Sequence, residues 1–268
     1  MLVIGEKING FIPKTFAAIK ARDEFYIREL AKAQVDSGAD YLDICAGTVP
    51  AEESDILGWL IRIVQNSVDV PLSIDSPDPQ TIIEMMGLTR RPGIVNSVSL
   101  EKGKCETLLP VIADSDWKVV MLTCDADGIP ESAHDKYGIA ARMIEMARDC
   151  GIAQERLFID PLATTLATNP FIMDDFAQTV RLVKERYPNV NILSGTSNIS
   201  LGMPCRKAIT AHFLTLAMAA GLDAAIMDPL SSDMQTTLYA TDALLGNDEL
   251  YRNYLEAYRK GLFSERNG

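Results

Sequence analysis

The sequence predicts an α/β protein folded as a single (β/α)8 TIM barrel spanning residues 1–268. Three observations carry this expectation. Short β-rich runs alternate with longer helical patterns eight times, an order that calls for parallel strands joined by crossover helices. No low-complexity linker or shift in composition divides the chain, and eight such units fit the ~250 residues of a closed barrel. No GxGxxG follows the first strand, which weighs against an open dinucleotide-binding sheet.

The first strand is LVIGEKI (2–8). A helix follows at Glu24 to Ser37, where Ile27, Leu30 and Ala31 recur at helical spacing and Gly38 supplies the stop. The next strands are YLDICAG (41–47), PLSIDS (71–76), GIVNSVS (93–99) and WKVVMLTC (117–124). Asp135 to Asp149 is helical, with Ile139, Met143, Ile144 and Ala147 on one face and Gly151 after it. RLFIDPL (156–162) is the sixth strand. The helix from Asp174 to Tyr187 points Phe176, Val180 and Val183 inward and ends before Pro188. NVNILSG (189–195) and AAIMDP (224–229) complete the strands. Between them, Ala208 to Ala220 is apolar on nearly every face, the mark of a helix buried either within one chain or in a dimer interface. The tail predicts one extra amphipathic helix at about 248–262, with Leu250, Tyr254, Tyr258 and Leu262 at steps of four.

Composition narrows the function. The chain is 47% hydrophobic, enough for a large core, and its net charge of −12 excludes nucleic acid and anionic membranes as partners. Its most apolar helical run, Phe213 to Met227, is interrupted by Asp223 and too short to span a bilayer. Met1 to Ile4 runs straight into Glu6 and Lys7 without a signal-peptide core, so a cytoplasmic protein is expected. Cysteines at 45, 105, 124, 150 and 205 form no CxxC pair, and most of them read as small buried residues, with no metal site. His134 falls in a polar loop, and His212, inside an apolar helical run, reads as a core histidine.

The polar residues gather at the strand ends. Glu6, Asp43, Asp75-Ser76, Asn96-Ser97, Asp125, Asp160, Ser197-Asn198 and Asp228 close the eight strands in turn. In a barrel all these positions open onto one rim, where active sites form. Turn and N-cap chemistry uses Asp and Asn as well, but it could use Gly and Ser equally, and a whole ring of carboxylates and amides points to a ligand. A carboxylate pairs bidentately with an N–H plus amino edge, which a pterin presents. A phosphate site would need a Gly-rich loop or a cation at strands seven and eight, and neither is present. Lys7 is the strand lysine close to the rim.

GEKING (5–10), SIDS (73–76), VNSVS (95–99), IDPL (159–162), SGTSNIS (194–200) and AMAAGLDAAIMDP (217–229) together resemble the pterin-binding methyltransferase family. These motifs run in order from the first strand to the last helix. The family includes methyltetrahydrofolate–corrinoid protein methyltransferases, the folate module of cobalamin-dependent methionine synthase and, more distantly, dihydropteroate synthase. The resemblance implies a homodimeric barrel that binds tetrahydrofolate or 5-methyltetrahydrofolate as substrate at the strand ends. It further implies transfer of a methyl group between N5 of the folate and the cobalt of a corrinoid (cobalamin). No DxHxxG corrinoid motif is present, so the corrinoid is expected on a separate partner protein. Carried over motif by motif, Asp75, Asn96 and Asp160 match the residues that hold the pterin, and Asn198 matches the catalytic asparagine near N5. Glu6, Gly195, Ser197 and Arg206 complete the expected substrate-binding set, with Arg206 orienting the loop or the ligand's tail. Two places depart from the family: Cys45 stands where many relatives have Asn, and LGMPCR (201–206) differs in sequence. Dihydropteroate synthase carries a lysine at the seventh strand end and Arg-x-His at the eighth, and here those places read SN and MDP. Another pterin-dependent transferase, or a non-catalytic pterin-binding subunit, stays open on the residues alone.

Overall fold

A computed structural model describes residues 1–47 and 50–263. Eight parallel strands close into one barrel in sequence order: β1 (Leu2–Asn9), β2 (Tyr41–Cys45), β3 (Leu72–Asp75), β4 (Ile94–Leu100), β5 (Lys118–Asp125), β6 (Leu157–Asp160), β7 (Asn191–Gly195) and β8 (Ala224–Met227). Around them lie α1 (Pro13–Lys20), α2 (Glu24–Asp36), α3 (Pro50–Gln65), α4 (Pro79–Met86), α5 (Lys104–Ala113), α6 (Ala133–Asp149), α7 (Ile172–Arg186), α8 (Arg206–Ala220) and α9 (Ser232–Leu244). The (β/α)8 expectation is met strand by strand.

The core has two parts because side chains alternate across each strand. Ile4, Ile94, Val120, Phe158, Leu193 and Ala224 pack together inside the barrel. The opposite faces of the strands meet the apolar stripes of the helices, for example Val119 and Met121 with Met143 and Ile144. Helix starts are set by side-chain caps: Asp23, Asp78, Ser132 and Ser231 each accept a backbone N–H of the first turn.

Three details differ from the sequence reading. His134 lies in the first turn of α6 rather than in a loop. His212 is exposed on α8, its Nδ1 2.7 Å from the Ala208 carbonyl oxygen. The apolar composition of that helix hid its outward face, which also carries Leu216 at 52% exposure. The tail forms a single turn at Glu249–Tyr251 and then α10 (Arg252–Arg259). Leu250 and Tyr251 are left-handed there, and the buried Asp248 carboxylate accepts the N–H groups of Asn253 and Tyr254, so the helix is capped later than its apolar spacing suggests.

Two loops at the rim touch through bare backbone. Gly10 N–H donates to the Cys45 carbonyl at 3.0 Å, and a Cβ on Gly10 would lie 2.0 Å from the Ala46 carbonyl oxygen. Gly47 faces it with a φ of +60°, where its own Cβ would meet Gly10 at 2.3 Å. Gly10→Ala is therefore expected to cost about 1–3 kcal/mol, the range for overpacking a rigid contact. The denaturant midpoint checks this; an unchanged midpoint would mean that the two loops part freely.

Candidate active site

The alternation that builds the core also assembles the site. Two residues above Ile4, Ile94, Phe158 and Leu193 come Glu6, Asn96, Asp160 and Gly195. Tyr41, packed against the same inner cluster, puts Asp43 and then Cys45 inward by the same rule. On β8 the step of two from Ala224 passes Ile226 and reaches Asp228. Strands β1, β2, β4, β6 and β8 thus turn from apolar to polar where the barrel opens to water. Asp125 is the exception. It stands on the opposite parity from Val120, its Oδ1 accepts the Asp127 N–H, and it closes a tight turn with Gly128. Its strand-end position in the sequence did not reveal that it points away from the ring.

The β2–β4 wall is a row of neighbours. Cys45 lies opposite Asp75, and Asp75 opposite Asn96. Asp43 sits beneath them, 2% exposed. Its Oδ1 accepts from the Ser73 hydroxyl at 2.6 Å and from Asn96 Nδ2 at 3.1 Å. Because Asn96 spends its N–H on Asp43, its amide oxygen is left for whatever enters the barrel mouth. Burial raises both the Asp43 and Asp75 carboxyls above the usual carboxylate range, and the Asp75 charge raises Asp43 further. The Cys45 thiol hydrogen-bonds to Asp75, which favours the ionised form of Asp75, while Glu53 of α3 opposes it. Burial keeps Cys45 itself a thiol. Sequence reasoning noticed Asp43 as a strand end but missed its part in orienting Asn96. The two-residue steps among Tyr41, Asp43 and Cys45 carried that signal.

On the other side, Asp160 is 8% exposed, and burial pushes its carboxyl up to about 6. The Leu162 N–H donates to its Oδ1 at 2.8 Å, and the Gly195 N–H also donates to the carboxylate. Asp160, Gly195 and Asn198 line one cavity of about 260 Å3 together with Thr164, Thr165 and Leu201. Asn198 is exposed there, and no hydrogen bond among the described residues ties down its amide. Its loop is held from behind. The Ser197 hydroxyl donates to Glu6 Oε1 at 2.7 Å, and Arg206 donates to the Ser197 carbonyl at 3.1 Å and to the Ser200 hydroxyl at 3.2 Å. Lys7 pairs with Asp228 at 2.8 Å. Burial raises the Glu6 carboxyl, with Ser197, Lys7 and Arg206 acting against it and Asp228 adding to it. Among the described residues no cluster of His, Cys, Asp and Glu could hold a metal ion.

Carboxylates and amides at the strand ends, from buried Asp160 to exposed Asn198, suit a planar ligand with several N–H groups. The family model of pterin-binding enzymes matches residues 14–228. The chain belongs to the pterin-binding enzyme family. It is 45% identical over 263 residues to the methylcorrinoid:tetrahydrofolate methyltransferase of Eubacterium limosum, covering 97% of each chain. It is 31% identical to the methionine synthase of Mycobacterium tuberculosis over 242 residues, which are 85% of this chain and 20% of that much longer protein. The barrel superposes on dihydropteroate synthases from Xanthomonas albilineans (TM-score 0.68, 20% identity, 92% of this chain and 91% of that one) and Yersinia pestis (TM-score 0.65, 17% identity, 91% and 94%). Those two likenesses speak for the fold alone.

The buried rim carboxylate at Asp160 works against folding at neutral pH. The Asp160 carboxyl is raised from its ordinary 3.8 to about 6, so its contribution favours the fold below pH ~4 and is lost as pH rises through about 6. Asp160→Asn is expected to stabilise the ligand-free protein above pH 6 by on the order of 2 kcal/mol, a gain that shrinks towards pH 4. Thermal melts at pH 5 and 7.5 test this, and equal shifts at both would refute it.

Proposed function

We propose that this protein transfers a methyl group between N5 of tetrahydrofolate and the cobalt of a corrinoid carried by a separate protein. The observation that supports the reading is the pairing of Asp75 with Asn96 on neighbouring strands of the barrel, with Asp160 and the untethered amide of Asn198 lining one cavity. The 45% identity along nearly the whole chain to a methylcorrinoid:tetrahydrofolate methyltransferase supports it. On this reading the whole chain acts as one pterin-binding domain in the cytoplasm. Among the described residues, no helix is long and apolar enough to cross a membrane.

The residues divide the work. Asp75 and Asp160 accept the N–H edge of the pterin, and Asn96, its amino group held by Asp43, accepts with its oxygen. Gly195 donates its amide to Asp160, and Glu6, Ser197 and Arg206 fix the loop that carries Asn198. N5 is a poor leaving group until it gains a proton, so charge develops there in the transition state. The Asn198 amide oxygen accepts a hydrogen bond from protonated N5 and stabilises that charge. Nothing among the described residues covers Asn198, as a methyl group passing to a bulky acceptor requires.

A protein partner needs a face to rest on. Phe11 (77% exposed), Ile129, Phe171 (68%), Leu201 and Leu230 all stand exposed on loops at the C-terminal ends of strands. Apolar residues ringing an acidic mouth suit a docking protein better than a free small molecule. A second surface serves self-association. The groove between α7 and α8, lined by Leu166, Met173, Ile209, Phe213 and Leu216, supports a homodimer through α8. Light scattering should give twice 29.4 kDa, and a monomer at micromolar concentration would count against that assembly.

The deciding experiment is single-turnover methyl transfer between 5-methyltetrahydrofolate and cob(I)alamin, measured beside the folate dissociation constant. Asn198→Ala should cut the rate by about 10²–10³ while weakening affinity much less, because the bond it loses is strongest in the transition state. Equal losses in rate and affinity would remove the catalytic role of Asn198. No transfer by the wild type, with free or protein-bound corrinoid, would remove the proposed activity.

A further inference from the structure

One lysine sits where an apolar residue belongs. The buried face of α6 reads Ala133, Lys136, Ile139, Ala140, Met143, Ile144 and Ala147. Lys136 is 2% exposed and belongs with the largest fully buried side chains. Its Nζ donates to the Leu162 carbonyl at 3.2 Å. Leu162 is in the left-handed region at φ +52°, a conformation leucine avoids unless its surroundings impose it. The N–H of the same residue donates to Asp160 Oδ1 at 2.8 Å. Two hydrogen bonds in series therefore connect the lysine on α6 to the carboxylate at the rim.

We infer that Lys136 is a positioning residue, which locks the Leu162 turn from behind and so fixes and charges the Asp160 carboxylate that meets the pterin. This rests on the role given to Asp160 above. The groups that face Asp160 are Lys136 from α6 and the amides of Leu162 and Gly195, while Asp160 and Asp175 of α7 face Lys136. A buried ammonium is costly to keep, and removing it would leave the buried Asp160 charge uncompensated. The lysine serves the ionised form of Asp160, and the ligand is what needs that form. An ionised, correctly turned Asp160 can accept from two N–H groups of a pterin, and a protonated one cannot. Burial lowers the Lys136 ammonium, and the two neighbouring carboxylates act against that, which is the balance a retained cation needs.

The test is the pH dependence of 5-methyltetrahydrofolate binding by calorimetry, with a thermal melt at each pH. Wild-type affinity should fall as pH drops through about 6, where Asp160 takes up its proton. Asp43, Asp75 and Glu6 are also raised and shape that curve, so the difference between variants is the readout. Lys136→Met should have its acid limit moved up by about one pH unit, so that it binds about twofold more weakly at pH 7 and nearly tenfold more weakly at pH 5. Lys136→Gln keeps a donor for the Leu162 carbonyl and loses the charge. It should also move the acid limit up, and it decides the matter if Lys136→Met fails to fold. Variant curves that superimpose on the wild type would overturn the role of Lys136 alone. So would a loss of affinity in Lys136→Met that follows lost stability with an unshifted acid limit. A wild type that binds no 5-methyltetrahydrofolate would overturn the functional reading and this inference with it.

Discussion

The two-residue period of a strand in a closed barrel governs everything else in this molecule. A side chain two positions above an interior apolar residue has to point into the same lumen. Ile4, Phe158 and Leu193 fill that lumen, so Glu6, Asp160 and Gly195 have no other direction to face. The rim carboxylates stand where the lumen ends. One layer lower Asp43 is sealed in and depends on Ser73 and Asn96 as donors, and one residue to either side the side chains would meet the helices. The site is thus the place where an apolar register runs out into water.

That constraint made much of the protein legible from its residues. Eight β-rich runs separated by helical patterns fit one architecture, and the strands formed with ends shifted by only a few residues. Register was harder to see. Asp125 ends its strand as Asp160 does, yet it falls on the wrong parity and serves a turn. His212 sits among apolar neighbours in sequence, but a helix apolar all round gives no sign of which side faces out. Lys136 was invisible for the opposite reason. One lysine near the start of a helix looks solvated until the fold places Leu162 and Asp160 above it. Cys45, which stood out as a departure from the family pattern, serves as a donor to Asp75.

Electrostatics bind the two halves of the site into one problem. Glu6, Asp43, Asp75 and Asp160 are all raised by burial, so the empty barrel mouth holds its acidic groups reluctantly in the charged state. Each has a local remedy: a serine hydroxyl for Glu6, Ser73 and Asn96 for Asp43, a thiol for Asp75, and two amides with a lysine behind them for Asp160. None of these remedies neutralises the ring as a whole. A ligand that brings several N–H groups does what the protein leaves undone, which is why binding and stability are coupled here.

The Gly10–Gly47 contact divides the rim mechanically. Where two backbones meet with no side chain between them, there is no rotamer to adjust and no slack to take up. That arc of the mouth behaves as a fixed jaw. The loop after β7, on the other flank of β1, is held instead by side-chain tethers, Ser197 to Glu6 and Arg206 to Ser197. A large partner approaching the barrel therefore meets a stationary edge and a yielding one, and the yielding one carries Asn198.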